Sequence, residues 1–135
     1  MNAMKIAIYL FSALFAASLI FVVLPWSALN AFTGLFGPYA FPDTPIVQYT
    51  VKVSLVFFFW IGVLLAVAAA QPERHQVILL VLCLMFASAT VFILAIGWVY
   101  GVPWFFYIDA VSSAALAALL WAYRSAATKR PESAE

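Results

Sequence analysis

Charge is what this chain has least of. Only 8% of its 135 residues are Asp, Glu, Lys or Arg, six basic against five acidic, for a net charge of +1. A water-soluble domain is ordinarily about 25% charged and about 45–50% apolar, whereas 68% of this chain is apolar. A soluble core built from so short a chain has no room for that excess, which excludes a disordered tail or a soluble domain and makes lipid the solvent. Cysteine and histidine are equally scarce. Cys83 alone forms no internal disulfide, and together with the single histidine, His75, it falls short of the four ligands a protein zinc site uses. No GxxxxGK[ST], GxGxxG or HExxH occurs, so nucleotide-phosphate and zincin chemistry lack support. There is no pair of haem ligands, no nucleophile beside a base, and thus no expected cofactor, metal or catalytic residue. Nucleic acid is excluded as a partner, because the largest basic cluster, Arg124, Lys129 and Arg130, is accounted for by membrane orientation.

What the chain does have is long apolar runs. A hydrocarbon core of about 30 Å needs about 20 residues of helix, since each adds 1.5 Å and every backbone group must bond internally. Four stretches meet this requirement. Residues 6–25 carry no charge and end at Pro25-Trp26, a helix stop followed by an interfacial anchor; residues 46–70 are interrupted by Gln48 and Lys52; residues 76–97 and 104–123 follow, the last containing Asp109. The expectation is an all-α integral membrane four-helix bundle, a single domain over residues 1–124, with residues 125–135 as a disordered tail. The first stretch also resembles a secretion signal, with Lys5 before it and Leu29-Asn30-Ala31 as a cleavage-like site. It exceeds the usual apolar length of such signals and is read as a permanent helix.

The cations set the orientation. With four crossings, Lys5, Arg74, Arg124, Lys129 and Arg130 all fall on one side, so both termini are expected in the cytoplasm of a bacterial inner membrane. His75 is then a solvated residue of the cytoplasmic turn Gln71-Pro72-Glu73-Arg74-His75. The opposite face is aromatic. Residues 26–45 contain Trp26, Phe32, Phe36, Tyr39 and Phe41, and Trp26, Leu29, Phe32, Leu35 and Phe36 recur at helical spacing. A short interfacial helix or re-entrant segment is expected there, ending at Gly37-Pro38, as a surface cap or as a lid over a pocket.

Two charges fall inside the apolar stretches. Lys52 and Asp109 lie about 10 Å and about 8 Å below the outer boundary at 1.5 Å per residue. Both of their helices enter from the outer face, so an ion pair between them is geometrically available. Gln48 and Tyr49 sit one turn before Lys52, Ser112 and Ser113 follow Asp109 by one turn, and Tyr107 belongs to the same rim together with Tyr100 and Trp104. These residues define a candidate outward-facing ligand pocket. The same charges also fit a structural clip between helices, a lysine reaching to the headgroups, or a proton or ion path. Elsewhere the chemistry is packing. Cys83, Ala87, Thr90 and Gly97 make one small face, Ala110, Ala114 and Ala118 another that suits a homodimer or larger membrane complex, and Phe57-Phe58-Phe59-Trp60 combine lipid contact with core packing.

The order of Phe41-Pro42-Asp43-Thr44-Pro45-Ile46-Val47-Gln48-Tyr49 leading to Lys52, the turn Gln71-Pro72-Glu73, and Gly101-Val102-Pro103-Trp104-Phe105 leading to Asp109 resembles a set of bacterial four-helix membrane proteins. The general plan, over roughly residues 6–123, is similar to the DoxX-like superfamily. The resemblance implies the four-helix fold and gives weight to Lys52 and Asp109; the superfamily includes subunits associated with quinone-linked sulfur oxidation, although this chain brings no evident redox group of its own. Three functions fit the sequence. One is a non-enzymatic accessory subunit or binder of a small apolar or anionic ligand. The second is a small proton- or ion-coupled transporter, against which the first helix lacks a central acid. The third is a lipid-modifying enzyme using Asp109, for which no second carboxylate lies in the membrane.

Overall fold

Prolines and glycines punctuate an otherwise helical chain. The computed structural model describes residues 2–35, 41–102 and 107–128. Its order is α1 (Asn2–Val23), α2 (Trp26–Gly34), α3 (Pro45–Ala70), α4 (Gln76–Tyr100) and α5 (Tyr107–Thr128), with no strand among the described residues. Pro25, in extended backbone, separates α1 from α2, and Pro45 opens α3, where a missing N–H costs nothing. Gly101 ends α4 at φ 60°, with Gly101 N donating to Trp98 O and Val102 N to Gly97 O. That paired closure needs a left-handed residue, which glycine supplies without a Cβ clash. The short helix expected after the first span is α2.

The helix ends depart from the sequence reading. α1 starts at Asn2 rather than residue 6, and α4 continues to Tyr100. The expected tail loses its first residues to α5, which runs through Ser125 to Thr128: alanines favour helix, and Ala127 is buried. Phe36, Gly37, Pro38 and Tyr39, Pro103, Trp104 and Phe105, and Lys129, Arg130 and Pro131 lie outside the described residues.

Three helices, α1, α3 and α4, are long and apolar enough to cross a membrane. Only 17%, 22% and 22% of their most apolar stretches is buried within the protein, so their apolar side chains face outward, as a lipid solvent requires. α5 falls short of that standard. Asp109 and Arg124 both lie within it, and the charge-free residues 110–123 between them amount to about 21 Å of helix against a hydrocarbon core of about 30 Å.

The chain divides into two compact units, residues 1–11 with 64–135, and residues 12–63. In the first, α4 and α5 form an antiparallel hairpin: Cys83 Sγ donates to Ala117 O at 3.3 Å, and Tyr107 lies over Gly97. A Cβ at position 97 would stand 2.8 Å from the Tyr107 ring. The core collects Leu79, Leu82, Phe86, Leu116 and Leu120, with the fully buried Tyr123 donating its hydroxyl to Ala69 O at 2.9 Å. In the second unit α1 and α3 run antiparallel, since Ser12 donates to Gly62 O (2.8 Å), Ser18 to Leu55 O (2.7 Å) and Lys52 to Leu24 O (3.5 Å). Gly62 permits this approach. A Cβ there would come within 2.7 Å of Ser12 O and 2.8 Å of Ala16 N, both backbone atoms. Small residues and serines that bond across the contact are how helices associate where lipid offers no hydrophobic drive.

Candidate functional site

The residues 12–63 unit contains a cavity, built from its aromatic segment outward. Because Pro25 stops α1, its carbonyl is free to accept from Ala28 N (3.0 Å) and Leu29 N (3.2 Å), which starts α2 at once. Leu29 is buried, and Asn30 one residue on clasps Phe41: Asn30 Nδ2 donates to Phe41 O (3.3 Å) and Phe41 N donates to Asn30 Oδ1 (3.0 Å). The clasp brings the Phe41 ring to 6.0 Å from Trp26, while Phe32 packs on Phe21 of α1 at 4.8 Å and Phe58 of α3 on Phe15 at 5.8 Å. Trp26 Nε1 is buried with no acceptor among the described residues.

Between these rings lies a space of about 420 Å³. Its walls are Leu14, Ser18 and Phe21 of α1, Leu29, Phe32 and Thr33 of α2, Phe41, and Thr50, Val51, Ser54, Leu55 and Phe58 of α3. None of these side chains is charged. Each of the four hydroxyls already donates to a main-chain carbonyl: Ser18 to Leu55, Thr33 to Asn30 (3.0 Å), Thr50 to Ile46 (2.8 Å) and Ser54 to Thr50 (2.9 Å). With its donors engaged, the cavity presents apolar surface and matches an apolar occupant. Several wall residues, including Leu14 (72% exposed) and Phe58 (44%), also reach the outer surface. The cavity thus opens on the apolar exterior.

The residues singled out in the sequence lie elsewhere. In the 12–63 unit Lys52 is half-buried and directs its ammonium to Leu24 O, just past the end of α1, where a cation complements the carbonyl end of a helix. Gln48 turns its amide to Asp43 Oδ1, and Tyr49 is 68% exposed. None of these three lines the cavity, although Val51 and Thr50 do. In the other unit Asp109 is exposed in the first turn of α5, the end of a helix that favours an anion. Ser112 donates to the Asp109 main-chain carbonyl (3.0 Å), Ser113 is half-buried, and Tyr107 packs on Gly97. Of the alanine series, Ala110 is buried in the core, whereas Ala114 and Ala118 are exposed.

Sequence reasoning passed over Asn30 and the wall serines. Asn30 reads as the polar side of an interfacial helix, and nothing in the spacing announces that it binds a residue eleven positions on. Among the described residues no three His, Cys, Asp or Glu come together as metal ligands. No protein-family model, curated protein or solved structure matches the chain.

Proposed function

We propose that this is a non-enzymatic integral membrane protein that holds a small apolar molecule, taken from the bilayer, in the cavity between α1, α2 and α3. The observation that carries the reading is the lining itself: about 420 Å³ of apolar wall without charge, its four hydroxyls all bonded to main chain. The volume lies in the range of small-molecule sites, about 300–1,000 Å³.

The reading includes four spans with both termini on the cytoplasmic side of a bacterial inner membrane, on the general plan of the DoxX-like superfamily. Support for α5 as the fourth span comes from its packing. It runs antiparallel against α4, itself long and apolar enough to span, from Gly97–Tyr107 to Cys83–Ala117. Lys5 and Arg74 line one cavity with Tyr123, the neighbour of Arg124, which gathers cations at one end of that unit. The exposed Ala114 and Ala118 suit a second copy or a partner subunit packing on α5.

Native mass spectrometry of the protein gently extracted from its own membrane tests the binding function. Wild type should carry a small molecule. In Ser54→Phe the ring occupies the cavity, displacing burial of about 1.5–3 kcal/mol per apolar group, so retention should fall about tenfold or more. A wild-type protein carrying only bulk phospholipid, to the same extent in both forms, overturns the binder reading in favour of an accessory subunit.

A further inference from the structure

A second cavity, in the other unit and of opposite character, is built around the turn between α3 and α4. Three local bonds hold that turn: His75 N and His75 Nδ1 both donate to Gln71 O at 3.1 Å, and Gln76 Nε2 donates to Pro72 O at 2.9 Å. So fixed, the turn exposes Glu73 and Arg74. From α1, Lys5 reaches in to donate to Ala70 O at 3.3 Å, its ammonium also 6.0 Å from the centre of the Tyr9 ring. The space enclosed is about 380 Å³, and its walls include Asn2, Lys5, Gln71, Glu73, Arg74 and Tyr123.

The donors here are mostly unspent. Lys5 uses one ammonium proton on Ala70 O and keeps the others, while Arg74 has five N–H groups and makes no hydrogen bond or ion pair among the described residues. Glu73 is the single acid in the wall. Among the described residues no ion pair joins it to either cation, so the two positive charges face the space without direct neutralisation. Asn2, at the start of the described part of α1, lines the same wall with its side-chain amide. Two cations and side-chain amides around a space of this size form the donor set that a tetrahedral oxyanion takes up.

We propose that this cavity binds a phosphate group, presented by an anionic phospholipid headgroup or by free phosphate. Basic pockets at the ends of membrane helices take headgroups in this way, each cation attracting the anion independently. Glu73 sets the strength, since one carboxylate among two cations leaves the site a net single positive charge.

The test uses the full chain in nanodiscs of phosphatidylcholine containing a minor fraction of phosphatidylglycerol, with retained lipid read by native mass spectrometry, and separately with inorganic phosphate in detergent. Wild type should retain phosphatidylglycerol over phosphatidylcholine. Lys5→Gln and Arg74→Gln should each lower that preference about fivefold, and the double variant about 25-fold. Glu73→Gln should raise it severalfold, a gain that does not depend on how well the lysine variant folds. Binding of inorganic phosphate that the double variant loses assigns the site to the free anion; retention of phosphatidylglycerol alone assigns it to the headgroup. Equal retention of the two lipids with no binding of phosphate, or no response to Glu73→Gln and the double variant, overturns the proposal.

Discussion

The two cavities differ little in size, about 420 and 380 Å³, and in almost nothing else are they alike. One is walled by side chains from the flanks of α1, α2 and α3, the other by helix ends and a turn. On a helix flank every main-chain group is already bonded, and a serine or threonine spends its hydroxyl on the nearest carbonyl, so what remains is hydrocarbon. At helix ends the main chain leaves N–H or C=O groups unbonded, and lysine and arginine can keep their heads near water. The same composition therefore yields an apolar site and an anion site, separated by where the helices stop.

The largest effect should come from the close approach of α1 and α3 in the unit that holds the apolar cavity. Gly62→Val places branched carbon against Ser12 O and Ala16 N, backbone atoms that cannot rotate away. Overpacking of this kind costs about 1–3 kcal/mol, and the backbone setting puts it toward the upper end. Thermal unfolding in micelles should show the loss, and native mass spectrometry should show the apolar ligand gone while phosphatidylglycerol is still retained. Loss of both together would dissolve the contrast and make the two sites one cooperative structure.

Smaller in stability, but as sharp in function, is Asn30→Ala. It removes both bonds of the clasp on Phe41, each worth about 0.5–1.5 kcal/mol at most at so exposed a position. With the Phe41 wall released, the apolar ligand should dissociate about tenfold faster, a change that corresponds to about 1.4 kcal/mol. Trp26 reports the event, because its ring lies 6.0 Å from Phe41 and its emission should change with the clasp. An unchanged dissociation rate would show that the aromatic segment is only a cap.

How much of this could be read in the sequence follows from what membrane physics dictates. The existence of α1, α3, α4 and α5 as helices is legible in the sequence, and so is α2, because apolar length, Pro25 and Pro45 leave the backbone little choice. The helix ends were less so: Gly101 marks a stop only once its φ is known, and the alanines after Arg124 extend α5 by a margin that composition does not reveal. Attention to Lys52 and Asp109 came from the cost of a buried charge. Lys52 answers part of that cost by donating to Leu24 O just past the end of α1, while Asp109 lies exposed in the first turn of α5; neither lies among the walls of the two cavities. The walls themselves were illegible, since Ser18, Thr50 and Ser54 look like scattered polar residues until the helices are paired. In the sequence Lys5 and Arg74 carry only an orientation signal, and the Gln71–His75 bonds that hold the turn beside them have no sequence signature.

The smallest effect separates the two half-buried lysines. Both donate to a carbonyl at a helix end, Lys5 to Ala70 O and Lys52 to Leu24 O, so each contributes the modest term of a cation at a helix C-terminus, about 0.3–1 kcal/mol. Lys52 at 3.5 Å is the weaker of the two bonds, and it lines neither cavity. Lys52→Met should therefore shift the unfolding midpoint slightly and leave both ligands bound, since the thioether keeps the apolar stem and removes the cost of a charge in lipid. Lys5→Gln should shift the midpoint by a similar amount and yet weaken phosphate retention. A loss of the apolar ligand in Lys52→Met would instead give that lysine the anchoring role its depth in the helix first suggested, and would move the edge of the apolar site toward the end of α1.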